Sequence, residues 1–393
     1  MSETSSSPNE APEGTPGPLR RTPLYDLHLK RGARMVPFAG FAMPIHYSGF
    51  GAIVEHNHTR AAASLFDISH MGVVRITGSQ VASSLERLLP ASLSGLEPNK
   101  QRYSFFTLEN GGILDDVIIG KDGVVGAQEQ WTMVINASGR SADMAHLDSH
   151  LGDTAAAVLA EDVALLALQG PRSADALASA FGPAASAMVD LGFMGSVEAN
   201  VLGTLVRVSR SGYTGEDGFE IAVAADRAEE FAMALLSCDQ VAMAGLAARD
   251  SLRLEAGLCL YGSDLDASIT PIEAGLTWAI QRRRRDEGGF LGYEPIHRQL
   301  LQGPARKRVG LVPSGRRPVR RGAELWAGGE QVGMVTSGGF GPTVGGPISM
   351  GYVKAEYASE GCVLEARDPS RTNRAPEEVA VGALPFVQHR YRR

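Results

Sequence analysis

The chain has 393 residues, 44% of them hydrophobic and 21% charged, the balance of an ordinary globular protein of two or three domains. No apolar run approaches the roughly 18 residues of a membrane helix, so no helical membrane span is expected. The net charge of −7 is uneven: residues from Arg282 onward hold 19 Lys/Arg against 11 Asp/Glu, and the first 281 hold 18 against 33.

Residues 1–19 are Ser/Pro-rich and read as a disordered leader. With Glu3, Glu10 and Glu13 and no basic residue before Arg20, the leader is neither a secretory signal nor an Arg-rich transit peptide. A bacterial-type cytoplasm is therefore expected, or a mitochondrial matrix if the source is eukaryotic. Leu24–Leu29 predicts a short helical turn, Val73–Thr77 a strand and Val81–Leu89 a helix. Arg102–Leu108 and Ile113–Ile119, joined by Glu109-Asn110-Gly111-Gly112, form the clearest hairpin, because Asn-Gly supplies the positive φ of a tight turn. Trp131–Asn136 is a further strand.

From Ala164 the pattern restarts: a strand, a break at Gln169-Gly170-Pro171, a helix over Ser173–Phe181, strands at Leu205–Ser209 and Phe219–Val223, and a helix near Ala228–Leu236. Hairpin signals favour antiparallel α+β over a parallel sheet. Asp250 or Ser251 is expected to cap a helix through Leu252, Leu254 and Leu258, stopped at Gly262. Arg282–Gly289 reads as an exposed connector, and the Gly/Pro/Val-rich remainder as a small β-barrel.

Several chemistries lack their residues. There is no GxGxxG after a strand, no GxxxxGK[ST] and no GxSxG, and the three cysteines Cys238, Cys259 and Cys362 contain no CxxC and indicate a reducing compartment. His56 and His58 form an HxH pair without a third ligand at metal spacing, so hydrogen-bonded histidines are the better reading. An acidic total with 6% aromatics speaks against a nucleic-acid-binding module.

What remains is Asp115-Asp116 inside an apolar strand. Both cannot be buried without partners, and only one can face a given pocket, because successive strand side chains alternate. Pattern alone does not choose between them. Glu220, closing GYTGEDGFE, and Arg249, heading a helix, suit a planar polar ligand: a carboxylate accepts paired N–H bonds and a guanidinium binds oxygen. From spacing alone, a structural Glu–Arg ion pair is the simpler reading. Tyr103, Tyr213, Tyr261 and Met71 read as core.

At these residues the chain resembles the glycine cleavage T-protein family. RTPLYDLH, LFDISHMG, NGGILDDVII, SGYTGEDGFE, GLAARDSLRLEAGLCLYG, VTSGGFGPT and PFV carry the resemblance from Arg21 to Tyr391, with Phe41 a small departure where members commonly have Trp. The resemblance implies a three-domain cloverleaf: two antiparallel α+β domains (20–66 plus 155–245, and 67–154 plus 246–290), a C-terminal β-barrel domain (291–393) and a central folate cavity. It implies an aminomethyltransferase that takes the methylene of an aminomethyl group on lipoyl H protein to tetrahydrofolate, with no metal, flavin or nucleotide. Asp116 matches the family's catalytic Asp. Glu220, Arg249 and Tyr391 match its folate contacts, and Met71, Tyr103, Asn136 and Tyr213 match positions lining the pocket. The alternatives are a folate-dependent demethylase of a small methylated substrate and a non-catalytic folate-binding protein. The basic clusters Arg282–Arg285 and Arg316, Arg317, Arg320 and Arg321 are candidates for docking an acidic partner, or are simply solvated.

Overall fold

The computed structural model describes residues 17–370, 373 and 375–393; the expected leader lies outside the described residues up to residue 16. Two large, mainly antiparallel sheets, a small three-stranded sheet (Arg20–Arg21, Phe41–Tyr47 and Ala33–Phe38) and a barrel carry the described residues. The first sheet has six strands in the order Ser196–Val201, Thr204–Ser209, Gly218–Ala224, Val163–Gln169, Ala63–Asp67 and Val241–Met243, with only the last pair parallel. Its apolar face, including Leu166, Leu168, Val206, Val208 and Ile221, packs on the helices Ser173–Phe181 and Ala228–Leu236 through Leu177, Phe231 and Leu235.

The second sheet has five strands, ordered Lys100–Thr107, Ile113–Val125, Gln128–Ile135, Gly72–Gly78 and Ala155–Leu159. Residues 155–159, expected with the first unit, instead pair antiparallel with Gly72–Gly78. The predicted hairpin is present, with Gly111 at φ +82° and Asn110 Oδ1 accepting from Gly112 N at 2.9 Å. Along Ile113–Val125 the alternation is plain. Ile113, Asp115, Val117 and Ile119 are buried on the core side; Leu114, Asp116 and Ile118 are only half-buried. Strands from 306–313, 346–354, 330–341, 324–327, 363–367 and 377–382 close a six-stranded barrel around Leu311, Val335, Val353, Leu364 and Val381.

Two expectations are corrected. The helix near Arg249 runs over Leu246–Glu255, so Asp250 and Ser251 lie inside it, and it stops at Gly257 (φ +66°) rather than Gly262. It begins at Gly245 because a Cβ there would stand 2.5 Å from the Ile45 carbonyl oxygen, and Gly245 N donates to Glu55 Oε2 at 2.9 Å. The supposed connector is the short helix Arg282–Glu287, whose Arg283 and buried Arg284 pair with Glu86. The departure at Phe41 is accommodated: its ring is buried with Arg20 and Arg140 guanidiniums at 4.6 and 5.4 Å.

Glu255 joins these parts. It is fully buried, and its oxygens accept from Arg60 Nη2 at 2.8 Å and, from the barrel, Thr343 N at 2.7 Å and Val344 N at 3.2 Å. His56 Nε2 lies 3.1 Å away, and Arg60 also pairs with buried Glu216, which receives Arg390 of the C-terminal tail. Burial pushes the Glu255 carboxyl up, but the bonds from His56, Arg60 and Thr343 outweigh it and hold it at about 2. Removing one partner of a buried ion pair leaves the other uncompensated, so Glu255→Ala is expected to cost about 3–5 kcal/mol in denaturant unfolding. The depressed pKa makes the stabilisation complete above the ordinary value of 4.5 and lost as pH falls from there toward 2. Wild-type stability should fall through that window and Glu255→Ala should fall less.

Candidate active site

Between the two sheets, the helix Leu246–Glu255 and the barrel lies a cavity of about 2310 Å³. Asp116, Glu220, Arg249, Tyr391, Tyr103, Asn136, Met71 and Tyr213 all line it, so the eight residues singled out in the sequence converge on one space. Strand alternation explains the first of them: the strand turns Asp116 to the cavity with Ile118 and keeps Asp115 behind the wall.

Both Asp116 oxygens are oriented. Tyr103 Oη donates to Oδ2 at 3.0 Å, and Asn136 Nδ2 donates to Oδ1 at 2.8 Å. Burial raises the Asp116 carboxyl and the Asp115 charge raises it further, against the lowering effect of Tyr103 and Asn136; the outcome is about 7. A carboxylate with that value is present at neutral pH yet costly to keep, and a developing positive charge beside it would relieve that cost.

Glu220 sits on Gly218–Ala224, paired with Ala167 and Ser209 of the neighbouring strands, and its Oε2 accepts from Ser211 Oγ at 2.9 Å. Arg249 forms no ion pair with it, which sets aside the structural-pair reading. The Arg249 guanidinium lies over the Tyr213 ring at 4.7 Å, and its Nη1 is buried without a partner. Burial lowers its pKa, while Glu220 and Tyr213 partly restore it. A buried guanidinium nitrogen with an unused donor in a cavity wall calls for an oxygen-bearing ligand. Tyr213 Oη donates to the Cys259 carbonyl, which fixes its ring, and Tyr391 stacks on Phe193 at 4.3 Å and 9°. Met71 is held through its carbonyl by Arg140 Nη2 at 2.5 Å.

Two cavity residues escaped the sequence reading. Trp278, 65% exposed, stacks on Tyr103 at 5.4 Å; a single Trp in an apolar stretch gives no signal that it stands at a rim. His70 is buried in the wall with Nδ1 unpartnered, and burial together with Arg249 pushes its pKa down to about 4, so its ring is neutral. Of the arginine clusters, Arg320 and Arg321 reach the cavity rim. His56 and His58 hydrogen-bond to hydroxyls, His56 to Ser251 at 2.8 Å and His58 to Ser64 at 3.1 Å. Among the described residues, no helix is long and apolar enough to cross a membrane.

Comparison with known proteins places these features in a family. Residues 24–284 match the GCVT N-terminal domain, and residues 306–387 match the glycine cleavage T-protein C-terminal barrel domain. The chain is 40% identical over 375 residues to the probable mitochondrial aminomethyltransferase of Schizosaccharomyces pombe, covering 95% of this chain and 94% of that one. It is 42% identical over 392 residues to the mitochondrial aminomethyltransferase of Gallus gallus, covering 98% and 95%. The crystal structure of the glycine cleavage system aminomethyltransferase from Bartonella henselae superposes with a TM-score of 0.88 at 42% identity, covering 96% of this chain and all of that one.

Proposed function

The chain belongs to the glycine cleavage T-protein family and is an aminomethyltransferase, and we propose that Asp116 is its reactive carboxylate and that Glu220 and Arg249 hold tetrahydrofolate. The reaction takes the methylene of an aminomethyl group on the lipoyl arm of H protein and gives 5,10-methylenetetrahydrofolate, ammonia and the dihydrolipoyl H protein. The observation that carries the reading is Asp116 itself, a carboxylate aimed into the cavity by Tyr103 and Asn136.

The lining fits a folate. Glu220 Oε2 is anchored by Ser211, leaving the carboxylate able to accept from a 2-amino-4-oxo ring, and Arg249 has a buried donor to offer. Tetrahydrofolate supplies the nucleophilic amine; the chain supplies orientation and charge. Asp116, fixed by two donors before substrate arrives, stabilises positive charge on the reacting carbon as ammonia leaves and accepts a hydrogen bond from the attacking amine. Holding the two reactants in one cavity accounts for much of the remaining acceleration. The domain division follows the two sheets and the barrel, with residues 155–159 counted in the second unit. The named mitochondrial relatives support a matrix location if the source is eukaryotic.

Four outcomes test this reading. Asp116→Asn keeps the shape and removes the charge, so kcat should fall on the order of 10²-fold or more in an assay with aminomethyl-loaded H protein. In the wild type, kcat/KM should drop as pH falls through about 7, since only the ionised Asp116 of the free enzyme is active; full activity in Asp116→Asn would refute the assignment. Glu220→Gln turns one acceptor into a donor, and calorimetry should show tetrahydrofolate affinity reduced roughly ten- to a hundred-fold, about 1.5–3 kcal/mol. Unchanged affinity removes Glu220 from ring recognition. For the partner, Arg320 and Arg321 at the rim are the docking arginines rather than Arg283 and Arg284, which Glu86 already engages. Replacing Arg320 and Arg321 with Gln should flatten the fall of kcat/KM for H protein as salt shortens the Debye length from about 30 Å at 0.01 M to about 10 Å at 0.1 M. An unaltered salt slope would leave them as plain surface.

A further inference from the structure

Behind the cavity wall lies a second carboxyl group that the reaction as described does not use. Asp143, on the helix Arg140–Leu151, is fully buried, and neither of its oxygens has a donor. Beside it Asp115, also fully buried, accepts from Asp116 N at 2.9 Å, Asn136 Nδ2 at 2.7 Å and Asn136 N at 3.3 Å. Both carboxyls crowd the bare backbone of Gly139, where a Cβ would stand 2.4 Å from Asp115 Oδ2 and 2.9 Å from Asp143 Oδ2. Asp116 and Tyr261 are the titratable groups that act on the pair from the cavity side, and neither is a cation.

We propose that Asp143 is held as a neutral carboxylic acid donating to the Asp115 carboxylate, and that in this state it is a positioning residue for Asp116. Two adjacent buried carboxyls with no cation cannot both be ionised, so one proton lies between them. Asp115 already receives three N–H bonds and Asp143 none, so the proton belongs to Asp143. Burial and the neighbouring Asp115 push the Asp143 pKa up to about 9, in keeping with that placement. The proton makes Asp143 the donor that completes Asp115, and Asp115 in turn fixes the amide of Asn136. That amide divides its Nδ2 between Asp115 Oδ1 at 2.7 Å and Asp116 Oδ1 at 2.8 Å, so the order set at Asp143 reaches the carboxylate in the cavity. Gly139 is required at this point because any side chain would enter the contact between the two carboxyls.

The positioning role rests on Asp116 being the reactive group, whereas the protonation of Asp143 does not. In the full chain, Asp143→Asn keeps a neutral donor of the same shape and should retain kcat within a few-fold. Asp143→Leu fills the space without a donor and should lower kcat tenfold or more, with a smaller change in KM for tetrahydrofolate. Equal loss in both variants, or no loss in Asp143→Leu, overturns the positioning role. Infrared spectra of the ligand-free protein at about pH 8 test the proton separately, below the titration of Asp143 and above that of Asp116. A carbonyl stretch of a protonated carboxylic acid should be present in the wild type and absent in Asp143→Asn, even if Asp143→Leu fails to fold. Its absence from the wild type overturns the proposal. If the band is present but Asp116→Asn proves fully active, the assignment of Asp116 fails and the buried acid stands.

Discussion

A cavity of about 2310 Å³ at the meeting point of three packed units confines the apolar contact between them to its margins, where Leu165 and Ala167 meet Val73 and Leu252, Phe105 meets Tyr352, and Leu254 meets Ile348. What is added to it is directional. Glu255 gathers Arg60 from the helix Gly51–Ala61, Thr343 and Val344 from a barrel loop, and through Arg60 and Glu216 the C-terminal Arg390. Arg253, two residues earlier on the same helix and so turned to a different side, pairs with buried Asp264 at 2.9 Å and reaches Ser337 of the barrel at 3.0 Å. Buried ions are expensive, but a hydrophobic seal would have to fill the cavity. The polar clamp fixes the spacing and leaves the space open.

The same economy governs the charges that face the cavity. Asp116 is strained electrostatically by burial and by Asp115, and it is kept in place by Tyr103 and Asn136 rather than neutralised by a cation. Arg249 likewise has no ion pair, lying over a tyrosine ring, and the Glu220 charge offsets only part of the cost of its burial. Had Glu220 and Arg249 paired, both would have been satisfied and neither available. The cost of holding them apart is borne by the rigid elements that carry them: a central strand paired on both sides, and a helix whose start is fixed by Gly245.

Much of this was legible in the chain. The helices Ser173–Phe181 and Ala228–Leu236 have the bounds the pattern predicts, since their apolar spacing and, for the first, the break ending at Pro171 are local signals. The hairpin carrying Asp115 and Asp116 was equally plain. The helix Leu246–Glu255 was misplaced because its start depends on a contact with Ile45, some two hundred residues away, that no local cap reveals. Arg282–Glu287 read as exposed because Glu86, which draws Arg284 inward, is just as distant in sequence.

At the site the division is sharper. Sequence by itself determined that two carboxylates lie in one strand on opposite faces, because alternation is a property of the extended backbone. It also carried the motifs that place the chain in its family, since those residues stand in order from Arg21 to Tyr391. Only the tertiary structure decided which face is the cavity, and hence that Asp116 lines it while Asp115 turns inward to Asn136 and Asp143. The reason is physical: burial, and with it the ionisation of every carboxyl in this cluster, depends on which distant segments close over a strand.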